Sequence, residues 1–289
     1  MPATGLRAGV SLPVRKRREV TRTKVYARLS KEPELGRPLV AARIALDQHK
    51  PNLRCPRYLA LLEKALWEEY PPFVTKLYAN LQQAASASGQ WLVTSLMAKA
   101  EQEGQRATKL WSLAMLAKSK QERQLLKRHA CDESDHALAY LEIIDLVFPG
   151  AIDPDFRSEL NQLSPQYSIR QELPKSDDAA ESIRPSVEQY LQINFEEVRT
   201  TILQVNLRPP LTAHCPAENK RQAERLMNAV LRDELNHVAY TAMLIERGAR
   251  DAAGKVFQKL FCKALHDFNR ATSEEPIEYS YNHRFGNYP

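Results

Sequence analysis

The sequence predicts an all-α protein: a four-helix bundle with a long crossover in its middle and extra helices at both ends. Three observations carry this expectation. Only nine glycines occur in 289 residues, and no alternating β-branched run is long enough for a sheet. Long segments instead repeat apolar residues at alternating spacings of three and four. Asp-Glu-x-x-His occurs twice, each time inside such a segment, as Asp132, Glu133 and His136 and again as Asp233, Glu234 and His237.

Taken in order, residues 1–35 hold prolines, glycines and the basic run Arg15-Lys-Arg-Arg18 with Arg22 and Lys24, and read as a flexible basic arm. Residues 36–88 read as N-terminal helices packed on the bundle. Leu39 to Gln48 is a short helix ended by Lys50-Pro51. Arg57 to Glu69 carries the stripe Leu59, Leu61, Leu62, Ala65 and Leu66, and stops at Tyr70-Pro-Pro72. Phe73 to Ala84 continues with Val74, Leu77 and Leu81.

The bundle is expected over 89–250. From Gly89 to Lys118 the seam runs Val93, Leu96, Ala100, Glu103, Ala107, Leu110, Ala114 and Ala117. Glu103 is its one charged member, and a carboxylate in a buried seam is costly unless paired or bound to metal. Glu101 lies off the seam and is the less favoured alternative. After Ser119-Lys120, the next helix turns Leu126, Ala130, Glu133, Ala137, Tyr140, Ile144 and Val147 inward and ends at Pro149-Gly150. Counted from the turn in an antiparallel hairpin, Glu133 comes level with Glu103.

Residues 150–184, rich in Pro, Asp and Ser, form the crossover, with one short helix over 156–163. The third helix runs from Pro185-Ser186 to Leu207, stopped by Pro209-Pro210, with Val187, Leu191, Phe195, Val198, Ile202 and Val205 inward. Glu196 and Glu197 sit at its middle. Glu197 flanks the stripe and is preferred, against the plainer reading of a solvated Glu-Glu pair. The fourth helix, Ala217 to Gly248, places Leu226, Val230, Glu234, His237 or Val238, Thr241 and Ile245 on one face. Residues 251–289 hold a last helix, Ala252 to Phe268 with Val256, Leu260, Ala264 and Phe268 on one side, and an irregular Tyr- and Asn-rich tail.

Composition narrows the class. A hydrophobic fraction of 43% and a charged fraction of 26% are ordinary for a globular protein. Four scattered cysteines, with no Cys-x-x-Cys, read as reduced thiols. No apolar run has signal-peptide or bilayer-spanning length, so a cytoplasmic location is expected. The net charge of +6 lies largely in the N-terminal cluster. Such a cluster can meet nucleic acid, an acidic carrier or an anionic membrane, but no aromatic interleaving supports a nucleic-acid fold.

Three residues are just under one helical turn, so Glu and His of each Glu-x-x-His project from one face and can grip one ion. A bundle that binds two metals adds one carboxylate from each of its other two helices. Four carboxylates and two imidazoles suit iron or manganese more than zinc or copper. Asp132 and Asp233 each lie four residues before a candidate histidine, within reach of an imidazole N–H on their own or the facing helix. Tyr140, Tyr190, Trp91, Trp111 and Phe195 read as core or pocket wall before any redox role.

Asp-Glu-Ser-Asp-His and Asp-Glu-Leu-Asn-His, each on a long helix preceded by one with a mid-helix Glu, resemble the ferritin-like di-iron carboxylate superfamily. That group includes multicomponent monooxygenases, acyl-carrier-protein desaturases, ribonucleotide reductase small subunits, rubrerythrins and a tRNA-modifying hydroxylase. The motif is most similar to the monooxygenase and desaturase branch, and the resemblance covers about 89–248. It implies the ligands Glu103, Glu133, His136, Glu197, Glu234 and His237, two Fe ions or an Fe/Mn pair, and dioxygen as co-substrate. The implied activity is oxidation of a small organic or carrier-bound substrate, with electrons from a separate reductase or ferredoxin and a homodimer as a compatible state. The alternatives are a tRNA hydroxylase, a rubrerythrin-like ferroxidase or peroxidase, and a non-catalytic helical scaffold. Arylamine N-oxygenases add a histidine one turn before the last motif, where this chain has Val230.

Overall fold

A computed structural model describes residues 25–49, 54–117, 119–153, 155, 185–251 and 254–273. The described residues are helical, with no strand among them. Helix α1 spans 25–31, α2 Arg37–His49, α3 Pro56–Glu68 and α4 Lys76–Ala85. Four long helices follow: α5 Gly89–Leu116, α6 Lys120–Val147, α7 Val187–His214 and α8 Lys220–Asp251. Helix α9 is Gly254–Thr272. The basic cluster, the short helix expected over 156–163 and the Tyr-rich tail lie outside the described residues.

Serine caps start three of the long helices. The Ser88 and Ser119 hydroxyls accept from the backbone N–H groups of Trp91 and Glu122. Ser186 and Gln189 form a reciprocal capping box. Helices α5 and α6 make the most extensive helix contact, across a tight turn, and α7 and α8 the next. Helix α8 also packs on α6 and α2, and α9 lies over α7 and α3. Apolar residues from the α5–α6 and α7–α8 pairs fill the two ends, with Leu92, Leu96, Tyr140 and Ile144 at one end and Leu126, Ala130, Leu191 and Val198 toward the other. A buried polar chain ties α3 across this frame. The Tyr58 hydroxyl donates to Asn194 Oδ1, whose amide donates to Val238 O and Thr241 Oγ1.

Several elements depart from their expected bounds for identifiable reasons. Residues 25–31, within the expected arm, are helical because Val25 and Leu29 are buried against the core. Helix α7 runs through Pro209 and Pro210 to His214. An interior proline costs about 3 kcal/mol, but continuing the helix buries Leu211 and Cys215 against α6, and each large buried apolar side chain returns about 1.5–3 kcal/mol. Helix α8 likewise runs past Gly248, which serves close packing rather than termination: a Cβ there would stand 2.8 Å from Val187 Cγ2. Leu77 and Val256 are 69% and 66% exposed, whereas Val74, Ala264 and Phe268 from the same two expected stripes are buried. In α4 Tyr78 and Ala85 are buried, and in α9 Phe257 and Phe261 are buried beside Ala264 and Phe268. Their larger rings offer more apolar area to bury, and they set the phase. No described helix is long and apolar enough to cross a membrane.

Candidate metal centre

All six sequence-selected residues are brought together in the buried middle of the four long helices, each at most 2% exposed. Glu103 comes from α5, Glu133 and His136 from α6, Glu197 from α7, and Glu234 and His237 from α8. Their rejected neighbours point elsewhere. Glu101 is exposed and accepts a hydrogen bond from Gln105, while Glu196 faces outward and pairs with Arg106. Tyr140 and Tyr190 have satisfied hydroxyls, through Gln204 and Glu122 respectively.

The donor atoms face one another without hydrogen-bonding. His136 Nδ1 lies 3.5 Å from Glu133 Oε1 and 3.2 Å from Glu234 Oε1. His237 Nδ1 lies 3.4 Å from Glu133 Oε1, 3.4 Å from Glu197 Oε2 and 3.6 Å from Glu234 Oε2. Glu133 thus meets donors from both halves, and Glu234 spans the two imidazoles. Donors on neighbouring positions of an ion with bonds near 2.1 Å stand roughly 3 Å apart, so the spacing fits a ligand shell.

The two aspartates act across the helix pair. His237 Nε2 is 3.2 Å from Asp132 Oδ2 and His136 Nε2 is 3.9 Å from Asp233 Oδ2, so each imidazole faces the aspartate of the other motif. The first is a hydrogen bond and the second an ion-pair distance. Arg232 grips Asp233 with two 2.8 Å contacts. This outer pairing leaves Nδ1 of both rings turned to the carboxylates, the orientation a ligand needs.

Two further residues belong to the cluster. His129, one turn before Glu133 on α6, has a side chain with no exposure. Its Nε2 is 3.2 Å from Glu133 Oε1 and 3.4 Å from Glu197 Oε1, and its Nδ1 meets the Tyr240 hydroxyl at 2.7 Å. Its ring stacks on His237 with centroids 3.6 Å apart. Arg106, half-buried on α5, donates to Glu103 Oε2 at 2.9 Å and to Glu196 Oε1 at 2.6 Å, and lies 3.7 Å from Glu133 Oε2. The signal for His129 was its spacing of four from Glu133. Arg106 gave none, since an arginine three residues from a glutamate on a helix usually reads as a surface pair.

Crowding sets the protonation of this cluster. Burial drives Glu103 well above the usual carboxylate range, with Arg106 opposing and Glu133 reinforcing. Burial together with the charge of Glu197 raises Glu234. At Glu133 and Glu197 burial pushes up, but the facing groups, Glu103 and His129 at Glu133 and His129 and His237 at Glu197, outweigh it and hold both low. His136 and His237 are raised despite burial, because carboxylates surround them. In the metal-free protein, raised groups bind more protons folded than unfolded, so their contribution to stability falls as pH rises above the unfolded values, about 4.3 for Glu and 6.5 for His. The metal-free protein is therefore expected to melt higher at pH 6 than at pH 8. Divalent metal should stabilise it more at pH 8, because ligands must shed protons to bind. Melting curves with and without metal at both pH values test this, and a metal-free protein more stable at pH 8 contradicts it.

The cluster fits a bound cation group on its own atoms. His129 Nε2, His136 Nδ1, His237 Nδ1, Glu197 Oε2 and both oxygens of Glu133 and of Glu234 are buried without a hydrogen-bond partner. Each such orphan costs about 1–3 kcal/mol, and together they rival the whole net stability of a domain, about 5–15 kcal/mol. Two sets of donors are close enough to share an ion: His129, Glu133, Glu197 and His237, and Glu103, Glu133 and His136. Beside them an open cavity of about 270 Å³ lies between α5 and α7, with Leu110, Leu113 and Ile193 in its wall and Arg106 and Glu197 at its inner side. Compared with protein-family models, with curated proteins and with solved structures, the chain matches none of them.

Proposed function

We propose that this chain is a ferritin-like di-iron carboxylate oxidoreductase, one that uses dioxygen to hydroxylate or otherwise oxidise a small organic or carrier-bound substrate. The observation that carries the reading is the meeting of two Glu-x-x-His motifs and two lone glutamates, from four long helices, in one buried cluster. Carboxylate oxygens with a minority of imidazole nitrogens favour iron, or an iron–manganese pair, over zinc or copper. Four glutamates largely neutralise two divalent ions, which makes their burial tolerable. Such a pair, when bound, supplies two-electron activation of dioxygen.

The chain's own part is positional. Glu133 and Glu234 face donors from both halves and are the bridging candidates, while Glu103 and Glu197 are held at the two sides. Asp132 fixes the His237 ring with Nδ1 inward, and Asp233 faces the outer nitrogen of His136 at ion-pair distance. The buried ends of the helix pairs keep water from the cluster, and the α5–α7 cavity gives an apolar group a place beside Glu197. Its volume lies below the roughly 300–1,000 Å³ of pockets for drug-sized ligands, which favours a small substrate or the end of a carrier-bound chain. In this reading an external reductase or ferredoxin delivers the electrons.

Protein loaded with ferrous iron is expected to consume dioxygen faster than the same iron free in buffer, and Glu234→Ala to lose that acceleration. A wild-type protein that holds iron yet leaves dioxygen consumption at the free-iron rate would remove the oxidase reading.

A further inference from the structure

We infer that His129 is a seventh metal ligand and makes the two ion positions unequal, so that the one among His129, His237, Glu133 and Glu197 fills first. The inference rests on the two-ion reading of the cluster and adds a residue and an order of filling to it. Four observations carry it. His129 Nε2 is buried, lacks a hydrogen-bond partner and sits between Glu133 Oε1 and Glu197 Oε1 at 3.2 and 3.4 Å. A core histidine satisfied by Tyr240 alone would leave that nitrogen stranded at no exposure, which native interiors rarely tolerate.

The second observation is the ring's outer contact. The Tyr240 hydroxyl at Nδ1 does for His129 what Asp132 does for His237: with Nδ1–H donated outward, the Nε2 lone pair faces the carboxylates. Third, the ring lies stacked on His237, so two imidazole nitrogens are presented to the same pair of glutamates, Glu133 and Glu197. A cation between them satisfies both rings in their neutral form.

Fourth, the other half is poorer. One imidazole, His136, serves there beside Glu103, Glu133 and Glu234, whose Oε1 lies 3.2 Å from His136 Nδ1, and the Arg106 guanidinium already holds Glu103 Oε2 at 2.9 Å and lies 3.7 Å from Glu133 Oε2. A fixed cation competes for the same oxygens and repels an incoming ion. The residue matching His129 on α8, one turn before Glu234, is Val230, so no extra imidazole offsets this.

Titrating the metal-free chain with cobalt(II) alone tests the proposal. Wild type is expected to bind in two steps, with His129→Ala weakening the first by about 100-fold or more, since losing even a partner of a ligand costs about 10–100-fold. His129→Gln, which keeps much of the side-chain volume, should behave alike and guards against a folding defect. X-ray absorption of wild type at one equivalent of cobalt adds a readout that needs no variant: about two imidazoles per ion are expected, and one overturns the inference. Two ions bound by wild type and by both variants with equal affinities overturns it too, leaving the two-ion centre standing. A wild type that binds no ion instead ends the two-ion reading itself.

Discussion

Glu133→Ala is expected to reduce bound iron from about two ions per chain to well below one, with helical content close to wild type. The reason is position. Glu133 is the one carboxylate that belongs to both sets of donors close enough to share an ion, so under the proposed two-ion reading its loss would strip a ligand from both positions at once, where the loss of Glu103 would touch only one. The fold should tolerate it because Glu133 is one of four carboxylates crowded in the cluster, and Arg106 keeps Glu103 and Glu196 as partners when it is lost. Metal analysis and circular dichroism on the same sample read both halves of the expectation. Unchanged iron would exclude Glu133 as the bridging carboxylate.

Arg106→Leu is the second large effect, and its direction depends on metal. Arg106 is 14% exposed at the side chain and balances Glu103, Glu196 and Glu133. Removing one partner of a buried ion pair costs about 3–5 kcal/mol, so the metal-free variant is expected to melt roughly 5–15 °C lower. Metal should recover much of that difference, because an ion takes over the Glu103 carboxylate. Calorimetry with and without divalent metal separates the two states. Equal melting temperatures for metal-free wild type and variant would show that Arg106 balances nothing.

Much of the site was readable before any coordinates because burial and periodicity speak together at charged positions. Glu103 interrupts an otherwise apolar seam, and Glu101 does not, so a helical wheel alone separated them. Glu197 over Glu196 was a closer choice; in the fold Glu197 is buried beside the histidines, while Glu196 pairs with Arg106. His129 is less legible because the resemblance points to a third histidine one turn before the last motif, where Val230 stands, while the same spacing before the first motif holds one. Arg106 was illegible for a different reason: whether an arginine at the edge of a seam turns inward depends on the facing helix, which local spacing does not contain.

The fold shows the same division. The helices with strong stripes and serine caps stand where the sequence put them, but terminators gave misleading ends. Pro209-Pro210 and Gly248 both read as stops, and both are overridden by contacts remote in sequence, from α6 on Leu211 and from Val187 on Gly248. Val256 and Leu77 show how aliphatic members of a stripe lose their place to neighbouring aromatic rings, Phe257 and Tyr78.

Anomalous scattering at the iron edge, from crystals of the wild-type chain grown with ferrous iron, tests the central claim most directly. Two iron peaks per chain between Glu133 and Glu234, each against carboxylate oxygens and at least one imidazole, are the predicted result. No peak in the cluster, or iron bound only at surface carboxylates, would contradict it.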